Sequence, residues 1–544
     1  MRAHNLATGE WNDSLIGDYL WTSTNFGEAF PDVMTPLTWS MAQKYIEAVL
    51  PVQKNFTMPM MGNIAGRLYF NISLGMSLAI AIGLSKEKLL RRAAETFGRI
   101  PPQIEIPIVP VKWSQAILRY YLPMIAWSMK MRRTFGPRIP AFVAETPAVV
   151  EMLERDIQAA YTPTKLLALW QDKLEAHFQH GLLMLAIGLS EYRTLSRQLH
   201  IEFERIVGDA DANVLLSGYS AQGDYIASLG LLAGLLQVKQ GKLSRQAFLQ
   251  DHGHRGPHEF ELSTLRPKED PAWIDQQLAQ LDLVDVPALL AEQRQRHQAA
   301  WKRLQASVSP CKAKRYRPKL DRLIVAAKTR EASRSEVVRL LGVLRTFALH
   351  AGELTGLAQD VFFLSLDELL ALLDGDTSTC ALIPARKETH ARYSALPPYP
   401  TLICGHFAPF AWAAHPNRRS DLYDGQASSI PPGQHTIAGF AGAAGIVEGR
   451  VRRLDRPEEG DQLQTGEILV TSTTNIGWTP LFSRVAAIVT DIGAPLSHAA
   501  IVARELGIPA VVGCGNATTV LHTGDRVRVD GGRGIVERLD ANLP

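Results

Sequence analysis

One stretch near the C-terminus, residues 490–510, constrains the fold more than any other part of the chain. An apolar run at 485–489 precedes it, and a Gly/Pro turn leads to His498. A short amphipathic segment then ends at a Gly-Ile-Pro sequence before a second apolar run at 510–512. Two strand-like runs around one short helix predict a compact βαβ unit.

His498 stands at the first turn of the predicted helix. Free backbone N–H groups and the positive end of the helix dipole favour an anion at this position. The same field disfavours the imidazolium form, so the ring stays neutral and nucleophilic. A neutral histidine beside an anion-binding helix end is what a phosphohistidine carrier requires. The alternative is that His498 only caps the helix or fills a turn.

The residues around His498 favour the carrier interpretation. The run GAPLSHAAIVAR at 493–504, followed by GIPAVVG at 507–513, resembles the swivelling phosphohistidine domain of the phosphoenolpyruvate-utilising enzymes. That superfamily includes phosphoenolpyruvate synthase, pyruvate phosphate dikinase and rifampicin phosphotransferase. The resemblance implies that His498 becomes phosphorylated. Ser497 occupies the place of the small, often hydroxyl-bearing residue before that histidine.

Length and composition set the broad class. The chain has 544 residues, 46% of them hydrophobic and 20% charged, which is typical of a globular protein of two to four domains. A net charge of +3 gives no argument for nucleic acid or a membrane as partner. Four cysteines lie far apart, in no metal-ligand spacing, and no signal peptide is recognisable, so we expect free thiols, a cytoplasmic location and no metal site. The longest apolar stretch, 72–84, is too short to span a bilayer and is interpreted as a buried helix.

The chain divides into three predicted regions. Apolar residues at helical spacing predict a mostly α-helical substrate-binding domain over residues 1–375. A proline-rich stretch with little periodicity, 376–435, is interpreted as a linker that tethers a mobile carrier. Residues 436–544 are predicted to form a small α/β domain, in which the glycine-rich stretch 437–451 favours tight strand packing over a phosphate cradle.

A second cluster lies in the predicted helical domain, at residues 253–261. His254, Arg255 and Glu259 surround a Gly-Pro turn that would present them on a loop. A solvated polar loop is the alternative on composition alone. The stretch resembles the His-Arg-Gly-Pro-x-Glu signature of the substrate domain in rifampicin-phosphotransferase-like proteins, with His258 where a small residue is expected.

A third cluster is basic, with eleven Lys or Arg residues between 302 and 334. Most of it is interpreted as a solvated helix face. Arg330 and Arg334 are four residues apart on one face and would form a clamp for phosphoryl oxygens. The pair resembles an Arg-Glu-x-x-Lys motif of the related phosphotransferases, with Arg334 in the place of the lysine.

The resemblance implies a relay. The relatives begin with an ATP-grasp module and some carry a (β/α)₈ barrel for phosphoenolpyruvate, and we recognise neither pattern here. We therefore expect a subunit of a split, dikinase-type phosphotransferase. A partner ATP-grasp protein, holding ATP and Mg²⁺, would phosphorylate His498. The carrier would then deliver the phosphoryl group to a small-molecule hydroxyl or carboxyl acceptor with an apolar body, held in the helical domain.

Within that relay, Arg330 and Arg334 would steady the phosphoryl group, and His254 is a candidate base or orienting group. Two alternatives stay open. One is a ligase subunit in which phosphorylation activates a carboxylate for condensation. The other is a non-catalytic regulatory or binding module.

Overall fold

The computed structural model describes most of the chain. The described residues are 4–24, 26–49, 58–87, 89–90, 100, 104–220, 225–281, 286–415, 418–419, 421–425, 436–495 and 497–539. We call residues 4–425 the helical body and residues 436–539 the C-terminal domain.

Helices make up most of the helical body, and three further α-helices lie in the described part of the C-terminal domain. The α-helices are α1 (Phe26–Ala29), α2 (Pro36–Val49), α3 (Ile72–Ala81), α4 (Trp113–Gln115), α5 (Leu122–Phe135), α6 (Ile139–Ala159), α7 (Pro163–Leu169), α8 (Glu175–Leu215), α9 (Ala227–Lys239), α10 (Arg245–His252), α11 (Trp273–Gln280), α12 (Val286–Ser307), α13 (Pro310–Thr355), α14 (Leu366–Leu373), α15 (Ile383–Ser394), α16 (Pro409–Ala414), α17 (Thr479–Phe482), α18 (His498–Leu506) and α19 (Ala517–Val520). Short 3₁₀ segments lie at Asp13–Leu15, Gly136–Arg138, Pro267–Glu269, Ala358–Phe363, Ser378–Leu382, Pro457–Gln462 and Ile476–Trp478, and π-helical turns at Ala116–Tyr121 and Trp170–Leu174.

The strands fall into two larger sheets and one small pair. They are β1 (His4–Asn5), β2 (Glu10–Trp11), β3 (Leu20–Thr22), β4 (Met61–Ile64), β5 (Arg67–Asn71), β6 (Leu402–Cys404), β7 (Leu422–Asp424), β8 (Thr436–Ala438), β9 (Phe440–Ala443), β10 (Ile446–Arg453), β11 (Ile468–Thr471), β12 (Ala487–Thr490), β13 (Ala510–Val512), β14 (Arg526–Asp530) and β15 (Ile535–Arg538).

Two long helices form the centre of the helical body. Helix α13 packs along α8 and α6. Ser309 caps the start of α13, Pro310 occupies its first turn, and Gly356 ends it with φ at 75°. Helix α8 is broken at Gly208, whose φ of 82° and ψ of 167° are not helical. The predicted buried helix at 72–84 is confirmed as α3, which follows its cap Asn71.

The helical body also contains a sheet that the sequence patterns did not predict. Its five strands have the order β4-β5-β3-β6-β7, so strands near the N-terminus pair with strands from the predicted linker. Leu20 pairs with Cys404 and Thr22 with Leu402 across β3 and β6. The prediction of a mostly α-helical domain over 1–375 did not include these strands.

The prediction of a linker over 376–435 was wrong for its first part. Helix α15 and strands β6 and β7 lie within residues 376–425 and pack on the helical body. Two of the prolines that suggested a linker stand in the first turns of α15 and α16, where proline starts a helix and does not interrupt it. Residues 426–435 lie outside the described residues.

The C-terminal domain is the predicted α/β unit. Its sheet has the order β8-β15-β14-β10-β11-β12-β13-β9. Strands β12 and β13 pair in parallel through Ile488 with Ala510 and Val489 with Val511, with α18 as the crossover, which confirms the predicted βαβ unit. The glycine-rich stretch forms β8 to β10, as expected for strand packing. A Cβ at Gly442 would come within 2.9 Å of the Ala510 carbonyl oxygen.

The apolar cores connect the two parts of the chain. One core lies inside the helical body, around Trp170 and Phe347, and another lies under the outer face of the C-terminal sheet, around Val451 and Val527. A third core crosses the interface between the helical body and the C-terminal domain, and it joins helical-body residues such as Phe203 to C-terminal residues such as Phe482. The C-terminal domain is therefore docked on the helical body through buried apolar surface.

Two further expectations concern the chain as a whole. All four cysteines are free thiols, and Cys514 is buried. Among the described residues, no helix combines the length and the apolar character needed to cross a membrane.

Candidate active site

His498 is held at the start of α18 by a well-formed helix cap. The hydroxyl of Ser497 accepts a hydrogen bond of 3.3 Å from the backbone N–H of Ala500. Gly507 ends the helix with φ at 71°, in the left-handed region that favours glycine. The cap fixes the direction in which the His498 ring leaves the end of the sheet.

The His498 side chain is buried in the docked arrangement, with 8% of the residue exposed. Its Nε2 lies 3.2 Å from the Thr479 hydroxyl oxygen, and its ring lies against Phe482. Burial, together with a smaller effect of the nearby Arg334 guanidinium, lowers the pKa of His498 to about 3. The ring is therefore neutral, as predicted, although burial contributes more than any other cause.

A large cavity opens at His498. Its volume is about 1390 Å³, and its wall includes both His498 from the C-terminal domain and Arg330 and Arg334 from α13. Most of the remaining wall is apolar, with side chains such as Met131, Phe260 and Leu341. A cavity of this size exceeds the usual range for small-molecule sites, so it accommodates a ligand with a large apolar body.

The predicted arginine clamp faces this cavity. Arg330 pairs with the buried Glu331 at 2.9 Å, and its guanidinium lies 5.4 Å from the centre of the Tyr192 ring. Arg334 pairs with Glu259 at 2.9 Å and lies 5.4 Å from the centre of the Phe260 ring. Each guanidinium is thus positioned by one carboxylate and one aromatic face.

The cluster at 253–261 lies behind the clamp. Glu259 is buried and accepts from both Arg255, at 2.7 Å, and Arg334. These two guanidinium groups lower the pKa of Glu259 against the effect of burial. The loop is therefore not the solvated polar loop that composition allowed.

His254 does not join the group at the cavity. Its Nε2 lies 2.8 Å from the Ser335 hydroxyl, the residue is 4% exposed, and burial lowers its pKa well below the usual range. It is not among the residues of the cavity wall, and neither are Arg255 and Glu259. His258, at the position where a small residue was expected, pairs with Asp32 at 2.6 Å.

The rest of the basic cluster behaves as a helix surface. Arg303 pairs with Asp211, Lys319 with Glu202 and Arg322 with Glu191. These pairs join α12 and α13 to α8 at positions exposed to solvent, which agrees with the interpretation as a solvated face.

Glu28 is a residue of the cavity wall that the sequence patterns did not indicate. It lies in the short helix α1, is 8% exposed, and its Oε2 accepts a 3.1 Å hydrogen bond from the backbone N–H of His498. A single glutamate between Gly27 and Ala29 carries no local pattern that would indicate this contact.

Polar contacts hold the C-terminal domain in this position. Glu505 is 1% exposed and accepts from the backbone N–H groups of Gly218, Tyr219 and Ser220 at 2.8–3.0 Å. Gly477 lies so close to the Gly-Pro turn of the 253–261 cluster that a Cβ there would come within 2.7 Å of Pro257. The two parts of the chain therefore fit closely around the cavity.

Comparison with known families identifies the class of the C-terminal domain. Residues 463–534 match the family model described as PEP-utilising enzyme, mobile domain. The resemblance to the phosphoenolpyruvate-utilising superfamily is therefore confirmed over this part of the chain.

Three curated proteins illustrate the similarity beyond that domain. The chain is 34% identical over 294 residues to an uncharacterised protein of Mycobacterium tuberculosis, covering 53% of this chain and 30% of that protein. It is 33% identical over 181 residues to rifampicin phosphotransferase of Bacillus subtilis, covering 33% and 19%. It is 32% identical over 310 residues to the prodigiosin synthesizing transferase PigC of Serratia marcescens, covering 53% and 32%. The chain thus spans about a third or less of the length of each.

Proposed function

We propose that this chain is the acceptor-side part of a phosphohistidine phosphotransferase. His498 carries a phosphoryl group and transfers it to an acceptor bound in the cavity. The single observation that carries the proposal is the position of His498, which opens into the same apolar cavity as Arg330 and Arg334.

The geometry supports each part of such a transfer. A neutral imidazole has the lone pair that a phosphoryl group needs. The two guanidinium groups supply positive charge where charge spreads over the phosphoryl oxygens in the transition state. The apolar wall removes water and holds the body of the acceptor.

The phosphoryl group would come from ATP, bound with Mg²⁺ on a separate ATP-grasp subunit. Within the part of the chain that the structure describes, no group of three or more His, Cys, Asp and Glu side chains is placed to hold a metal ion. The split, dikinase-type arrangement with a partner subunit is part of the proposal.

The test uses ATP labelled at the β position together with a matching ATP-grasp protein. We expect an acid-labile label on the wild type and none on His498→Ala. His522→Ala is a matched control, because His522 is exposed and lies in the same domain. Absence of label from the wild type, or equal label on His498→Ala, would disprove the proposal.

A second candidate function is a ligase, in which phosphorylation activates a carboxylate for condensation. The observation that favours it is the similarity to a protein named for the synthesis of prodigiosin. Product analysis separates the two, because the phosphotransferase yields a stable phosphoester and the ligase yields an adduct without phosphate. A non-catalytic module would give neither product.

A further inference from the structure

We propose that Glu28 is the catalytic base of the transfer and accepts the proton of a hydroxyl acceptor. This inference rests on the proposed function and deepens it, because it selects hydroxyl compounds over carboxylates as the acceptor class.

The Glu28 side chain lies at the proposed site of transfer. Glu28 lines the cavity together with His498, Arg330 and Arg334. Its Oε2 is held by the backbone N–H of His498 at 3.1 Å, so the carboxylate lies beside the residue that would carry the phosphoryl group. Phosphorylated His498 and Glu28 would therefore contact the same acceptor.

The second oxygen of the Glu28 carboxylate is available to a bound acceptor. Glu28 Oε1 is buried and has no hydrogen-bond partner among the described residues. A buried carboxylate oxygen without a donor is costly, and such groups call for an explanation. The hydroxyl of a bound acceptor would supply the missing donor, which is the geometry a general base needs.

Burial and nearby positive charge act on the Glu28 carboxylate in opposite directions. Burial raises the pKa of Glu28 to about 7, while the His498 backbone N–H, Arg334, Arg330 and the Ser497 hydroxyl act against it. The opposing positive charges, Arg330 and Arg334, come from α13, and the His498 ring of the C-terminal domain is neutral. A base that titrates near neutral pH combines a useful ionised fraction with the ability to hold a proton.

The transfer exchanges one bond to phosphorus for another. The acceptor oxygen forms a bond to phosphorus while the bond from phosphorus to the His498 ring nitrogen breaks, and its electron pair stays on that nitrogen. The hydroxyl proton passes to Glu28 and then to the ring nitrogen. The products are a phosphoester and a neutral imidazole, with Glu28 ionised again.

The acceptor class follows from this role. A hydroxyl group must lose a proton to become a phosphoester oxygen, whereas a carboxylate has no proton to give. An acceptor carboxylate at Glu28 would also place two negative charges together in a buried site, which is unfavourable. The position of Glu28 therefore favours an alcohol or phenol with an apolar body.

The experiment uses water as the simplest hydroxyl acceptor. The full chain is phosphorylated with potassium phosphoramidate, and loss of phosphohistidine is followed between pH 5.5 and 8.5. Phosphohistidine is intrinsically less stable in acid, so a rate that rises with pH is the signature of a base. We expect that rise through about pH 7 in the wild type, and a loss of the rise with a roughly 100-fold slower rate at pH 8 in Glu28→Gln.

Two variants complete the test. Glu448→Gln removes an exposed carboxylate of the C-terminal domain that is not on the cavity wall, and it should leave the profile unchanged. Glu28→Asp keeps the carboxylate one methylene farther back, so it should keep the rise with pH at a lower rate, and it decides the matter if Glu28→Gln does not fold. Equal rates and profiles in wild type and both Glu28 variants would overturn the inference. A wild type that gains no phosphohistidine at His498 would instead overturn the proposed function.

Discussion

At the scale of single residues, Glu259 is the charge on which the arginine arrangement depends. It is 3% exposed and accepts from both Arg255 and Arg334. Arg255 keeps one further nitrogen buried without a partner in the described part of the chain. Removing the carboxylate would leave positive charge buried and uncompensated.

Glu259→Gln is therefore expected to lower the free energy of unfolding by about 3–5 kcal/mol. Urea unfolding followed by tryptophan fluorescence measures the change. Glu191→Gln is the matched control, because the Glu191–Arg322 pair is exposed and its loss should cost less than about 1 kcal/mol. Equal changes in the two variants would show that burial of the Glu259 group does not matter.

The pH dependence of stability should carry the signature of His498. Its pKa is about 3 in the folded chain against 6.5 for an ordinary histidine, so the unfolded state binds more protons between these values. The contribution of neutral His498 to the stability of the folded chain is complete above pH 6.5 and is lost as the pH falls towards 3. The contribution of Glu28 to the pH dependence of stability has the opposite sign, because its raised pKa makes the folded state bind more protons between pH 4.5 and about 7.

Subtracting the free energy of unfolding of His498→Gln from that of the wild type at each pH removes the contribution of Glu28, which is common to both. Between pH 6.5 and 5, the free energy of unfolding of the wild type should fall by about 2 kcal/mol more than that of His498→Gln, because the slope approaches about 1.4 kcal/mol per pH unit. His406→Gln, at an exposed histidine, should behave as the wild type. A parallel loss in wild type and His498→Gln would contradict the low pKa.

At the scale of elements, α18 depends on its cap. Ser497 supplies the hydroxyl that satisfies one of the free N–H groups at the start of the helix. Ser497→Ala should cost about 1 kcal/mol, which corresponds to roughly five-fold faster amide hydrogen exchange within α18. Ser365→Ala, at the cap of α14, should accelerate exchange in α14 and leave α18 unchanged. Unaltered exchange in α18 of Ser497→Ala would argue against the cap.

The elements also show how far sequence reasoning reaches. Helix α18 and its flanking strands were predicted because turn residues, a cap and a Gly-Ile-Pro stop are local signals. The sheet β4-β5-β3-β6-β7 was not predicted. Its central strand β3 has only three residues and pairs with β6 from the other end of the helical body, so no local pattern indicates it. The spacing of Arg330 and Arg334 predicted that they share one helix face, and both line the cavity. Glu28 escaped because tertiary packing alone brings it to His498.

At the scale of the whole molecule, the docking of the C-terminal domain sets whether the site exists. Glu505 accepts three backbone N–H groups from residues 218–220 of the helical body. Without the carboxylate those three donors lose their partner, at a net cost of about 3 kcal/mol for bonds worth about 1 kcal/mol each. That cost shifts the docking equilibrium by about 100-fold.

Glu505→Ala is accordingly expected to increase the radius of gyration measured by small-angle X-ray scattering and to speed amide exchange at 218–220. Glu448→Ala, at an exposed carboxylate of the same domain, should change neither. An unchanged radius together with unchanged exchange in Glu505→Ala would mean that the apolar contact alone holds the domain.

The apolar core shared by the two parts of the chain has a consequence for temperature. Release of the C-terminal domain exposes apolar surface from both sides, including Phe203 and Phe482. Exposure of such surface carries a positive change in heat capacity. The docked population therefore passes through a maximum as temperature changes, and cooling below that maximum loosens the domain, because apolar attraction weakens in the cold.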